Sequence, residues 1–92
     1  MSDSSTIALG DARVGFRGRI HGVATTGNAS GLSDAELERR LLELGFVEGA
    51  SVELLHEGLF GRDPIAVRVA DATIALRRRE AMAVRVTAAE SA

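Results

Sequence analysis

The side chains able to do chemistry in this 92-residue chain are few. His21 and His56 are its two imidazoles, and their separation matches no local ligand motif. Brought together by a fold, with Glu53 or Glu57 assisting, they would suit weak binding of a divalent transition metal. Two features favour the plainer reading, that both are surface or barrel-edge histidines. His56 and Glu57 are neighbours on an expected strand, so they point to opposite faces. The chain also lacks Cys, and a tight site would have to be built from carboxylates. The residues therefore require no cofactor.

A second cluster is the run Arg77-Arg78-Arg79. On a helical turn these side chains are expected to fan outward, partly offset by Asp71 and Glu80. The plain reading is a solvated face; the alternatives are docking to an acidic protein surface and phosphate contact with RNA. RNA recognition also needs exposed aromatics for stacking, and the chain has three Phe with no Tyr or Trp. Nucleic acid is therefore not an expected partner. The same shortage disfavours a polyproline-binding groove.

The third cluster is the loop Gly58-Leu59-Phe60-Gly61-Arg62-Asp63-Pro64. Two glycines bracket an adjacent Leu and Phe, and Pro64 begins the next strand without donating to its ladder. Two placements are open. Phe60 either folds inward to close a barrel end or stands on the tip as a docking anchor with Leu59. The candidate partner-binding residues are Leu59, Phe60, Arg62, Arg78 and Arg79.

Composition narrows the class. Apolar residues make up 46% and charged residues 26%, which is globular and sized for one domain. Formal net charge is −2, and all eleven cations are Arg. Disulfides and thiol catalysis are excluded by the absence of Cys. No apolar run approaches the ~18 residues of a membrane span, and the opening residues do not resemble a secretory leader. A soluble cytoplasmic domain is expected, not itself membrane-spanning. No nucleophile elbow or phosphate-cradling loop is present, so an enzyme is not expected.

The elements that must position these groups read clearly. Ser33-Asp34-Ala35-Glu36 is a capping box, with Leu32 and Leu37 placed for a hydrophobic staple. Leu37, Leu41 and Leu44 recur at helical spacing, with Leu42 widening the stripe, so a helix is expected over 34–44. Gly45 supplies the left-handed residue that ends it, letting Phe46 fold back onto Leu41. Strands are expected near 16–23, with a bulge at Gly22, and from Val52, Ile65, Ile74 and Val84 onward. Asp71-Ala72 suits a hairpin, with Asp tolerating positive φ. Arg77 to Ala83 leaves room for one helical turn. The ends, 1–6 and 88–92, read as disordered tails around a domain at 7–87, and Ala24 to Leu32 as a long loop. The fold class is mainly β: a small five-stranded SH3-like barrel with one α-helix inserted after the first strand.

Three stretches carry a family resemblance. They are Gly15-Phe16-Arg17-Gly18-Arg19-Ile20, Arg40 to Gly49, and Gly61 to Val69 continuing through Ile74-Ala75-Leu76-Arg77 and Glu80-Ala81. In order and spacing they resemble the FeoA family of bacterial ferrous iron transport, over about residues 9–86. Two departures are evident. Glu48-Gly49 stands where the family usually carries Pro-Gly, a change a type II turn accommodates. The 24–32 loop is a few residues long. The resemblance implies a cytosolic accessory protein that binds a membrane ferrous iron permease on its cytosolic, G-domain side through barrel loops. It also implies that any weak site at His21 and His56 would take Fe(II) or another divalent transition metal. The alternatives are a free-standing SH3-like metal-sensing module, like the last domain of iron-dependent repressors, and an RNA-binding barrel.

Overall fold

The structure, a computed structural model, describes residues 5–89. Six strands and two helices follow in order: β1 Ile7–Ala8, β2 Arg17–Val23, α1 Asp34–Glu43, β3 Ser51–Glu57, β4 Ile65–Val69, β5 Ala72–Leu76, α2 Arg78–Ala81 and β6 Val84–Ala88. A 3-10 turn at Leu9–Asp11 follows β1. All strand pairs are antiparallel, in the order β1-β6-β2-β3-β4-β5. The fold is mainly β, as the alternating pattern requires, with one strand more than expected. That strand is β1, which sets Ile7 opposite Val86 and Ala8 opposite Arg85. Two residues are too few to display a period.

One core lies on the inner side of the sheet, built from Ile20, Leu54, Ile65, Val67, Val84 and Val86. Helix α1 adds Leu37, Leu41 and the folded-back Phe46, all fully buried. Its ends follow the local chemistry. The Glu36 amide donates to Ser33 Oγ and the Ser33 amide to Glu36 Oε1, both at 3.2 Å. At the other end Gly45 has φ +108°, its amide donates to Leu42 and that of Phe46 to Leu41, each at 3.0 Å. This is the Schellman closure, which satisfies carbonyls left over at a helix end. Leu42 is exposed, however, so the apolar stripe is narrower than its sequence spacing suggests.

Turns decide the sheet register. The Ala50 amide donates to Val47 at 3.1 Å across Glu48-Gly49, and Gly49 has φ +89°. Between β4 and β5 the two-residue turn is Ala70-Asp71, with the positive φ of +53° on Ala70. This corrects the expectation that placed the joint at Asp71-Ala72, because Ala72 is already paired with Val69. Pairing of β2 with β6 shifts between Ile20 and Gly22, which makes His21 the bulged residue; β3 shifts against β4 between Leu54 and His56.

The 24–32 loop has its own internal bonding. Asn28 Nδ2 donates to the Leu32 carbonyl at 2.7 Å and to Asp34 Oδ1 at 2.9 Å, and the Ser30 amide donates back to Asn28 Oδ1 at 2.8 Å. Of the tails expected at 1–6 and 88–92, residues 1–4 and 90–92 lie outside the described span. Arg85 donates to the carbonyl and hydroxyl oxygens of Thr6, and Ala88 is the last residue of β6.

Candidate functional site

The β3–β4 connection forms the candidate site. Its neck is closed by register and by one hydrogen bond: Glu57 stands opposite Ile65, and the Gly58 amide donates to the Pro64 carbonyl at 2.9 Å. Gly58 lies so close to the Asp63 carbonyl that a Cβ there would collide with it. Beyond this neck the chain carries Leu59 and Phe60, exposed by 94% and 89%. That decides between the two placements: Phe60 closes no barrel end. No other large apolar side chain among the described residues is more than half exposed.

The base of the apex is polar and tightly bonded. Arg62 Nε donates to Glu57 Oε1 at 3.2 Å. Arg78, expected to fan outward, does the opposite, with its side chain only 14% exposed. Its Nε donates to the Arg62 carbonyl (2.9 Å), Nη1 to the carbonyls of Gly10 and Ala12 (3.0 and 2.8 Å), and Nη2 to Glu57 Oε1 (2.8 Å). The Arg78 amide, at the start of α2, donates to Asp63 Oδ1 at 2.8 Å. One guanidinium thus ties the 3-10 turn, the end of β3 and the apex loop together, a task its planar fork of donors suits. With four of its five donors engaged, Arg78 is a support and not a free docking cation. The bond from Arg62, followed by its charge and by the bond and charge of Arg78, holds the Glu57 carboxyl below its ordinary value. Arg62, Arg77 and Arg79 remain exposed around this base.

The histidines are not brought together. Both are exposed. Gly18 lies opposite Val52. That register places His21 beside the Gly49 turn and His56 near position 14, roughly seven residues or about 23 Å apart along the strands. Among the described residues no cluster of three or more His, Cys, Asp or Glu could hold a metal. What is assembled is a hydrogen-bonded pedestal under an exposed apolar tip.

The six-stranded antiparallel fold is that of a small SH3-like domain. The chain belongs to the FeoA family: the FeoA domain family model matches residues 7–88. Among solved structures it resembles the zinc-complexed FeoA of Stenotrophomonas maltophilia, with 30% identity, a TM-score of 0.69, and coverage of 90% of this chain and 89% of that one. That relative is described as a prokaryotic SH3 domain protein and a candidate bacterial ferrous iron transport activating factor. FeoA of Chlorobium tepidum is 30% identical with a TM-score of 0.70, covering 89% of this chain and 70% of that one. A manganese-dependent transcriptional repressor shares the fold at 19% identity and TM-score 0.76, over 96% of this chain and 44% of its own. No curated protein matches the chain.

Proposed function

We propose that this protein is a cytosolic, non-catalytic accessory factor of ferrous iron uptake that docks on the cytosolic, G-domain side of a membrane iron permease. The observation that carries the reading is the apex: an adjacent Leu59 and Phe60, almost fully exposed, on a loop whose base is bonded in place. Burying two such side chains in a partner pocket supplies most of a small interface's energy, and a held loop loses little entropy in the process. Arg62 flanks the anchor and Arg79 lies on the adjoining helix, while Arg78 supports the loop from behind. Binding one conformation of the permease better than another would shift its population toward that state.

The test is retention of the purified chain on the permease's immobilised cytosolic domain, with and without Fe(II). Wild-type protein should be retained, and L59S/F60S should bind at least tenfold more weakly with its thermal unfolding unchanged. Undiminished binding by L59S/F60S would remove the apex from the interface. Failure of both proteins to bind, with or without Fe(II), would overturn the permease assignment.

A further inference from the structure

A second surface lies on the outer face of the sheet, away from the apex. Strand alternation turns Arg17 and Arg19 of β2, Ser51 and Glu53 of β3, and Arg68 of β4 to this face, where an open cavity of about 200 Å³ runs between them. The register sets Arg17 opposite Glu53, Glu53 opposite Arg68, and Arg19 opposite Ser51. Glu53 is engaged by Arg68 at 3.4 Å, and Arg19 Nη1 donates to the Gly49 carbonyl at 3.0 Å. Among the described residues Arg17 makes no ion pair.

Among the described residues, three guanidinium groups against one carboxylate leave a local charge of +2 on a chain whose net charge is −2. The acidic groups are concentrated elsewhere: α1 alone carries Asp34, Glu36, Glu38 and Glu43. Arg17 and Arg19 are two residues apart on one strand, so their Cα atoms are about 6.7 Å apart. Alternate side chains of an extended peptide repeat at that same distance. Arginine also pairs with carboxylates through two parallel donors, giving geometric as well as electrostatic selection.

We infer that this groove is a docking site for an acidic, extended peptide segment of a partner, with carboxylates at alternate positions facing Arg17 and Arg19. A third carboxylate competes with Glu53 for Arg68, and the Ser51 hydroxyl adds a donor. Glu53 precedes Glu57 by four residues of β3, about 13 Å, so groove and apex can be occupied at once.

A nuclear magnetic resonance titration of the full chain with a Glu-Ser-Glu-Ser-Glu peptide at low salt tests this. Amide shifts should concentrate at Gly18, Ser51, Val52 and Ala70. R17Q/R19Q/R68Q should lose at least tenfold in affinity, and rising salt should weaken the wild-type complex. The three side chains are exposed, so the variant is expected to keep its fold, and its amide spectrum checks this. No shifts at millimolar peptide, shifts centred elsewhere, or equal binding by the variant would each overturn the inference. Tighter binding of inorganic phosphate, anionic vesicles or generic RNA than of the peptide would overturn the peptide assignment.

Discussion

Arg78 is the residue on which the site depends most. It bonds to backbone carbonyls 66 and 68 positions away, and its shielded head is shared with Glu57. Removing it takes the side-chain donor from the carbonyls of Gly10, Ala12 and Arg62 and leaves the Glu57 carboxylate with Arg62 alone. Arg78→Met should therefore destabilise the protein by about 2–3 kcal/mol. Arg78→Lys should recover less than half of that, since an ammonium cannot reproduce the fork. Chemical denaturation checks both, and a change within 0.5 kcal/mol for Arg78→Met would refute the support role. Glu57 adds a pH dependence of known sign. Its folded pKa is depressed by Arg62 first and then Arg78. The stabilisation is therefore complete above the unfolded value near about 4.3 and lost as pH falls through the lower folded one. Amide exchange at Gly58 should rise across that acidic window faster than exchange in the core, and the difference should vanish in Glu57→Gln. The run of three arginines gave no sign of this in the sequence. Nothing local distinguishes the middle residue, and its acceptors come from a turn near the other end of the chain. Leu59 and Phe60 were legible as an unusual pair between glycines, but sequence could not decide their placement; the neck at Gly58 and Asp63 does.

At the scale of elements, local signals carried furthest where the chemistry closes within a few residues. Helix α1 is bounded by a reciprocal cap at Ser33 and Glu36 and by the Gly45 closure, and both were readable because each needs only neighbours. Strand β1 was not readable, because its pairing with β6 spans nearly the whole chain. The Ala70 conformation escaped for a related reason: Asp is the better residue there, and the register of β4 with β5 overrides that preference. The Glu48-Gly49 turn allows a quantitative check. Glu48 lacks positive φ, and its amide makes no backbone hydrogen bond outside regular elements. Glu48→Pro should stabilise by about 0.4–1 kcal/mol, mainly by restricting the unfolded chain. A loss of stability in urea would mean that the turn needs that amide or a different φ.

For the whole molecule, the side chains that close the core are distinct from those proposed for docking. The core is closed by Leu, Ile, Val and Phe46 without help from the apex, where Leu59 and Phe60 stand almost fully in solvent. L59S/F60S should accordingly unfold within about 0.5 kcal/mol of wild type, as exposed substitutions do, while losing its partner. A core position truncated in the same way would cost several kcal/mol. The no-cost outcome thus separates a tool for gripping from a plug for the barrel. If the inferred peptide site on the outer sheet face is used as well, two weak engagements on one partner would reinforce each other.

Because β1 lies along β6, the first and last segments of the domain are side by side. A short flexible tether could therefore join head to tail, with a fresh opening cut elsewhere on the surface, and the circularly rearranged polypeptide would still find the same architecture. Nature could equally splice such a unit into a larger protein as an insert, entering and leaving through one narrow doorway.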